Sequence, residues 1–184
     1  WAVFGKTDPD KLNQILQQSA GLYAFLPPLR VLDGSFNANS QIEMTVAKFS
    51  QPRLVGVAVG GGHYSSRLSQ RNLVDALGTG RLRSSLDAAL TMNRRPDFVS
   101  AQTWNDYQEG AHVEPSYKHT TSLLEIIASN MRSLRQQSDP EDSQPHLIVS
   151  YAKNITVGCP LRIEVLNLPV RPGFERINLT ITLS

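Results

Sequence analysis

The chain has 184 residues, and its 18 Lys plus Arg against 16 Asp plus Glu leave a net charge of +2. With 40% apolar and 18% charged residues it has the make-up of a chain that buries a core, which excludes intrinsic disorder. No apolar run approaches the roughly 18 residues of a membrane span, and the one basic cluster (Arg81, Arg83, Arg94 and Arg95) reads as a solvated face, which argues against nucleic acid as a partner.

The first residues, Trp1 to Asp10, show no basic region followed by an apolar core, so they do not read as a signal peptide. Starting on Trp1 without Met, the sequence reads as a mature product or as a piece of a longer chain. Asp8-Pro9 opens the first predicted helix, with Asp8 as N-cap and Pro9 at the first helical position. Leu12, Ile15 and Leu16 share its inner face, and Gly21 stops it. Leu22 to Leu26 reads as a buried strand closed by Pro27-Pro28, and residues 29–39 as loop. Ser40 and Glu43 form a capping box ahead of Ile42, Val46 and Phe49 on one helical face. Leu54 to Val59 is a continuous apolar strand ending at Gly60-Gly61-Gly62, and residues 60–80 read as a second long loop. A helix is predicted over Arg81 to Met92 with Leu82, Leu86, Ala89 and Leu90 inward. A strand follows over Phe98 to Trp104, then a helix over Ser122 to Arg135 with Glu125 in its cap.

Strands alternating with helices indicate parallel βα units, and short all-apolar strands suit a sheet covered on both faces. After residue 136 the character changes. Residues 137–145 are a polar, Pro-containing linker, and residues 146–184 read as strands alone, at Leu147–Tyr151, Leu161–Leu166 and Arg176–Leu183. A complete eight-fold βα barrel takes about 250 residues, more than the region before the linker. Either the region is a small open sheet or it is part of a barrel. The long loops follow the C-terminal ends of strands, as in barrel enzymes. The fold class expected is therefore α/β: the C-terminal portion of a (β/α)8 barrel over 1–136, then a small antiparallel β-sandwich-like tail over 146–184. A partial barrel exposes strand edges, so a preceding segment or a second chain is expected to complete it.

The chemistry concentrates in Pro96 to Pro115. A strand runs into Trp104-Asn105, and Asp106 and Glu109 follow three apart. On one turn, positions i and i+3 face the same way. Two carboxyls held together titrate apart, which supplies one acid and one base. Glycoside hydrolysis needs such a pair, and Trp104 and Tyr107 supply aromatic faces on which sugar rings pack. The plainer reading is that both acids merely cap the segment after the strand.

The string Thr103-Trp-Asn-Asp-Tyr-Gln-Glu-Gly110, with Pro96-Asp-Phe-Val before it and Glu114-Pro115 after it, resembles the last-strand motif of glycoside hydrolase family 71, which contains fungal endo-α-1,3-glucanases. It is also similar to the motif of family 99, the endo-α-mannosidases and mannanases, which has acid-x-x-Glu-Gly and a later Glu-Pro. Both families are βα barrels whose two motif acids form the catalytic pair. The resemblance implies that Asp106 is the base and Glu109 the general acid. It implies that Trp104, Asn105, Tyr107 and Glu114 contact substrate. Leu54 to Tyr64 resembles the preceding strand and its substrate loop, which implies sugar contacts from His63 and Tyr64. Family 71 usually has Gly and then Glu-Ser where this chain has Gln108-Glu109-Gly110.

The expectation is a secreted hydrolase of α-linked polysaccharide, α-1,3-glucan first and α-mannan as the alternative, with no metal and no organic cofactor. The rival is a non-catalytic carbohydrate-binding or scaffold protein on a degenerate barrel. Asp106, Glu109, His112 and Glu114 do not have the spacing of a known zinc site. The glycine run at 60–62 lacks the remaining residues of a nucleotide loop. His63 has an ordinary alternative as a loop hydrogen-bonder, and His119 and His146 carry no pattern. Sequons at Asn154 and Asn178 fit secretion, and the lone Cys159 is expected to pair with a cysteine outside this chain.

Overall fold

The computed structural model describes residues 2–3, 8–24, 53–65, 72–74, 76–137, 146–152, 154 and 156–168. The chain divides into two compact units, Trp1–Ile127 and Ala128–Ser184.

In the first unit, strand β1 (Ala2–Val3) precedes helix α1 (Pro9–Gln18). The Asp8 side chain accepts from the Asp10 N–H at 2.9 Å and Pro9 occupies the first turn, so the helix starts where a cap and a fixed φ favour it. Strand β2 (Gly21–Ala24) follows after two residues. Gly21 has a role other than stopping the helix: a Cβ there would lie 2.2 Å from the Leu54 carbonyl oxygen, so its bare backbone permits the close approach of β2 to β3 (Leu54–Val59).

Beyond β3 the expected loop contains a short antiparallel hairpin, β4 (His63–Ser65) paired with β5 (Asn72–Val74). Helix α2 (Gly80–Leu90) and strand β6 (Phe98–Ala101) complete the third unit, and helix α3 begins at Ser122 and runs to Leu134. Thr121 Oγ1 donates to Glu125 Oε1 at its start, which places Glu125 in the cap as expected.

The sheet has the order β1-β2-β3-β6, and every neighbouring pair is parallel. Strand order thus follows chain order, as in a singly wound βα sheet. Leu22 pairs with Val55, and with Val57 and Val59 they make one face, every member at most 1% exposed. Leu12 and Leu16 of α1 and Leu82, Leu86 and Ala89 of α2 are equally buried, and α2 packs on β3. Each such Leu or Val side chain stabilises the fold by roughly 1.5–3 kcal/mol through removal from water. Leu90 departs from expectation, lying exposed at the end of α2. Ser85 is buried instead, where its hydroxyl accepts from the Gly60 N–H at 3.2 Å and donates to the Leu82 carbonyl at 2.8 Å.

The opposite face is built differently. Tyr23, Gly56 and Phe98 stand in register across three strands, and the Tyr23 and Phe98 rings approach to 5.7 Å over the bare glycine. A Cβ on Gly56 would lie 2.2 Å from the Phe98 ring and 2.6 Å from the Tyr23 Cβ. Leu54 and Phe98 on this face are nearly half exposed.

In the second unit, β7 (His146–Tyr151) pairs antiparallel with β8 (Ile163–Leu168). Ile148, Leu166 and Leu168 are buried on one face, while Leu147, Val149 and Tyr151 are exposed on the other. Among the described residues these two strands form a single ribbon, without a second sheet to make the expected sandwich. The predicted helix after Ser40, the end of the predicted strand at Phe25-Leu26, most of the linker and the predicted strand Arg176–Leu183 lie outside the described residues. No helix among the described residues is long and apolar enough to cross a membrane.

Candidate active site

Strands β3 and β6 are parallel neighbours, so their following loops leave the same edge of the sheet. The Gln102 N–H donates to the Val59 carbonyl at 2.9 Å, and this extends the ladder to the point where both loops begin. The peptide joining Gln102 to Thr103 is cis.

From Thr103 the chain makes a closed excursion and returns. The Thr103 N–H donates to the Ala111 carbonyl at 2.8 Å, the Val113 N–H to the Thr103 carbonyl at 2.9 Å, and the Glu114 N–H to the Trp104 carbonyl at 2.9 Å. Residues 111–114 are thereby clamped beside 103–104. Between them, residues 106–110 form one helical turn capped at both ends. Asp106 Oδ1 accepts from the Glu109 N–H at 3.0 Å at the start. At the end, the Ala111 N–H donates to the Asp106 carbonyl at 3.1 Å and the Gly110 N–H to the Tyr107 carbonyl at 3.4 Å. This is the paired bonding of a helix C-terminus closed by a left-handed residue, and Gly110 has φ +62°. The sequence Asp-Tyr-Gln-Glu-Gly encodes this turn locally. It sets Asp106 and Glu109 three positions apart, where Cβ atoms are neighbours at about 5–6 Å. Both side chains are half-buried. The capping role that competed with chemistry for Asp106 is real, and it uses one carboxylate oxygen.

The same loop carries the aromatic residues. Trp104 and Tyr107 are each 53% exposed, which leaves ring surface open to a ligand. Asn105 is exposed beside them, and its carbonyl accepts from the Tyr107 N–H at 2.9 Å. The Tyr107 hydroxyl donates to Glu114 Oε2 at 2.6 Å. That bond holds the phenol proton and pushes the Tyr107 pKa above its usual value, with burial and the negative charge of Glu114 adding to the effect. Glu114, expected as a substrate contact, therefore also anchors Tyr107.

Two histidines take a place that the sequence did not predict, His112 having been weighed there only as a metal ligand. His112 is buried with its ring centroid 4.3 Å from that of Tyr107, and its Nε2 lies 3.3 Å from Ser116 Oγ. The His119 ring stands 5.2 Å from that of His112, and the His119 backbone N–H donates to the same Ser116 hydroxyl at 3.3 Å. Burial lowers the His112 pKa, helped by Lys118 and opposed by Glu114 and Asp106. His119 is pushed down to about 4 by burial, then by Lys118 and His112. The only sequence signal for this pair is the spacing of His112, Ser116 and His119, which gains meaning once a turn closes them.

Of the other predicted site residues, His63 and Tyr64 lie on β4, in the loop after β3, and the structure describes their backbone alone. Asn154 is exposed between β7 and β8, and Asn178 lies outside the described residues. Cys159 is a free, exposed thiol. Among the described residues no group of three or more His, Cys, Asp or Glu side chains is arranged to hold a metal ion.

No family model and no curated protein matches the sequence. Solved structures match the fold. The family 99 endo-α-mannosidase of Bacteroides thetaiotaomicron superposes with a TM-score of 0.57 at 17% identity, covering 73% of this chain and 44% of the mannosidase. The structure of the family 99 endo-α-mannosidase from that organism in complex with BIS-TRIS-propane gives 0.54 at 17% identity, covering 73% and 47%. The protein thus has an α/β fold whose parallel sheet matches part of a glycoside hydrolase (β/α)8 barrel. The likeness is to family 99, and neither structure carries the family 71 resemblance. The chain spans less than half the length of these structures.

Proposed function

We propose that the protein is a glycoside hydrolase acting on α-linked glycans, with α-mannan ahead of α-1,3-glucan as its substrate. The observation that carries this reading is the doubly capped turn 106–110, which sets Asp106 and Glu109 side by side where the β6 loop leaves a barrel-like sheet. Active sites of βα barrels are built from the loops at the C-terminal ends of the strands, and this turn occupies one of them. Glu109 protonates the departing glycosidic oxygen while Asp106 acts on the opposite side of the anomeric centre. Trp104 and Tyr107 receive the sugar rings, with Asn105, Glu114, His63 and Tyr64 as further contacts.

Glu109-Gly110 and Glu114-Pro115 follow the pattern of the mannan-cleaving families, and the fold likeness points the same way. The remaining barrel strands come from a preceding segment or a second chain, a reading supported by the half-exposed apolar residues Leu54 and Phe98 on the sheet face opposite Val55 and Val57. Secretion is supported by the exposed sequon at Asn154. The test is release of reducing ends from a panel of α-mannans and α-1,3-glucans. Turnover on α-mannan is expected. Binding without turnover on either polymer would replace the hydrolase reading with that of a carbohydrate-binding protein.

A further inference from the structure

We propose that His112 is a positioning residue, whose buried ring backs one face of Tyr107 and so holds the other face ready for a sugar ring. The inference rests on the reading of loop 103–114 as a glycan site.

A planar ring has two faces and an edge, and the structure accounts for most of the Tyr107 ring. His112 lies against it at 4.3 Å between centroids, with 33° between the planes. The hydroxyl at its edge is tied to Glu114 at 2.6 Å. The residue is nevertheless 53% exposed. An exposed aromatic side chain fixed both at its edge and on one face presents its other face without first having to be ordered. Ordering a free side chain on binding carries an entropic cost that a ring already held in place does not incur.

His112 is itself fixed. It is 9% exposed, Nε2 meets Ser116 Oγ at 3.3 Å, and its ring centroid lies 5.2 Å from that of His119. Ser116 in turn binds the His119 N–H, and the Thr120 N–H donates to the Ser116 carbonyl at 2.7 Å, so the turn behind the histidine is closed. The Val113 and Glu114 N–H groups on its C-terminal side are clamped to Thr103 and Trp104. Backbone clamp, ring contacts and phenol–carboxylate bond together join the turn that bears the two acids to the aromatic surface beside it. The contact that His112 makes is with the ring proposed to receive the sugar, so its effect belongs on substrate affinity.

The experiment compares His112→Ala and His112→Phe in the full chain. Tyrosine ring resonances are read by NMR with isotope-labelled tyrosine, and KM and kcat on an α-mannan oligosaccharide are measured alongside. Loss of the stacked ring is expected to shift the Tyr107 resonances and raise KM about three- to tenfold, with kcat within about twofold. His112→Phe keeps the ring and loses the Ser116 contact, and it is expected to restore both the resonances and KM. A folded His112→Ala protein with unchanged Tyr107 resonances overturns the proposal. So does His112→Phe failing to restore them while it melts like the unsubstituted protein. If the unsubstituted protein turns over neither glycan, the hydrolase reading fails by itself, and the resonances still decide whether His112 holds Tyr107.

Discussion

Asp106 has two roles that substitution separates. As a cap its Oδ1 accepts from the Glu109 N–H, and as a proposed catalytic group it needs its negative charge. Asp106→Asn keeps an acceptor oxygen and removes the charge, so turnover should fall at least about a hundredfold while the urea midpoint stays put. Asp106→Ala should in addition cost about 1 kcal/mol of stability. Equal activity in Asp106→Asn and the unsubstituted protein would leave Asp106 with the cap alone. Glu114 raises the Tyr107 pKa through its hydrogen bond first, so Glu114→Gln should let the phenol ionise at lower pH in a spectroscopic titration. An unmoved titration would mean that the bond does not persist in solution. His119 has its pKa depressed from 6.5 to about 4, so the unfolded chain takes up its proton at higher pH than the folded one. The stability it contributes is fully present above about pH 6.5 and is lost as pH falls toward 4. Replacing His119 with Gln should flatten the fall in urea midpoint across that window, and an unchanged slope would contradict the assignment. The acids were legible in the sequence because their turn is local: Asp-x-x-Glu-Gly carries its own caps. The histidines were not, because their role depends on rings brought together by a clamp between residues 103–104 and 111–114.

At the scale of elements, the sheet follows from apolar runs that the sequence shows openly. Leu54 to Val59 matches its strand residue for residue. Asp8-Pro9 and the Leu12, Leu16 and Leu82, Leu86 spacings placed two helices to within a few residues. The hairpin β4–β5 escaped notice because each strand has three residues, too few to show a period of two, and β1 has only two. Ser85 was missed because a buried hydroxyl on a helix is justified only by its partner, the Gly60 N–H on the neighbouring strand. Gly21 gives the sharpest test at this level. A Cβ would strike a backbone carbonyl oxygen, which cannot rotate away, so Gly21→Ala should force β2 from β3 and lower stability by roughly 1–3 kcal/mol in urea unfolding. A neutral substitution would show that the two strands do not approach so closely.

Over the whole molecule, a singly wound parallel sheet with its strands in chain order is what a βα barrel looks like when cut open, and the fold likeness agrees. The sequence revealed the barrel through its motif and through loops that follow strand ends. It did not single out a substrate, because the motif at 103–110 resembles those of two families with different polymers, and substrate contacts depend on side chains that tertiary packing brings together. In the proposed reaction Glu109, set by the capped turn after β6, delivers the proton to the glycosidic oxygen. The most direct measurement is kcat on α-mannan for Glu109→Gln, which keeps size and shape and removes the acid. A loss of at least about a hundredfold with an unchanged melting temperature is expected, whereas turnover equal to that of the unsubstituted protein would rule out Glu109 as the acid.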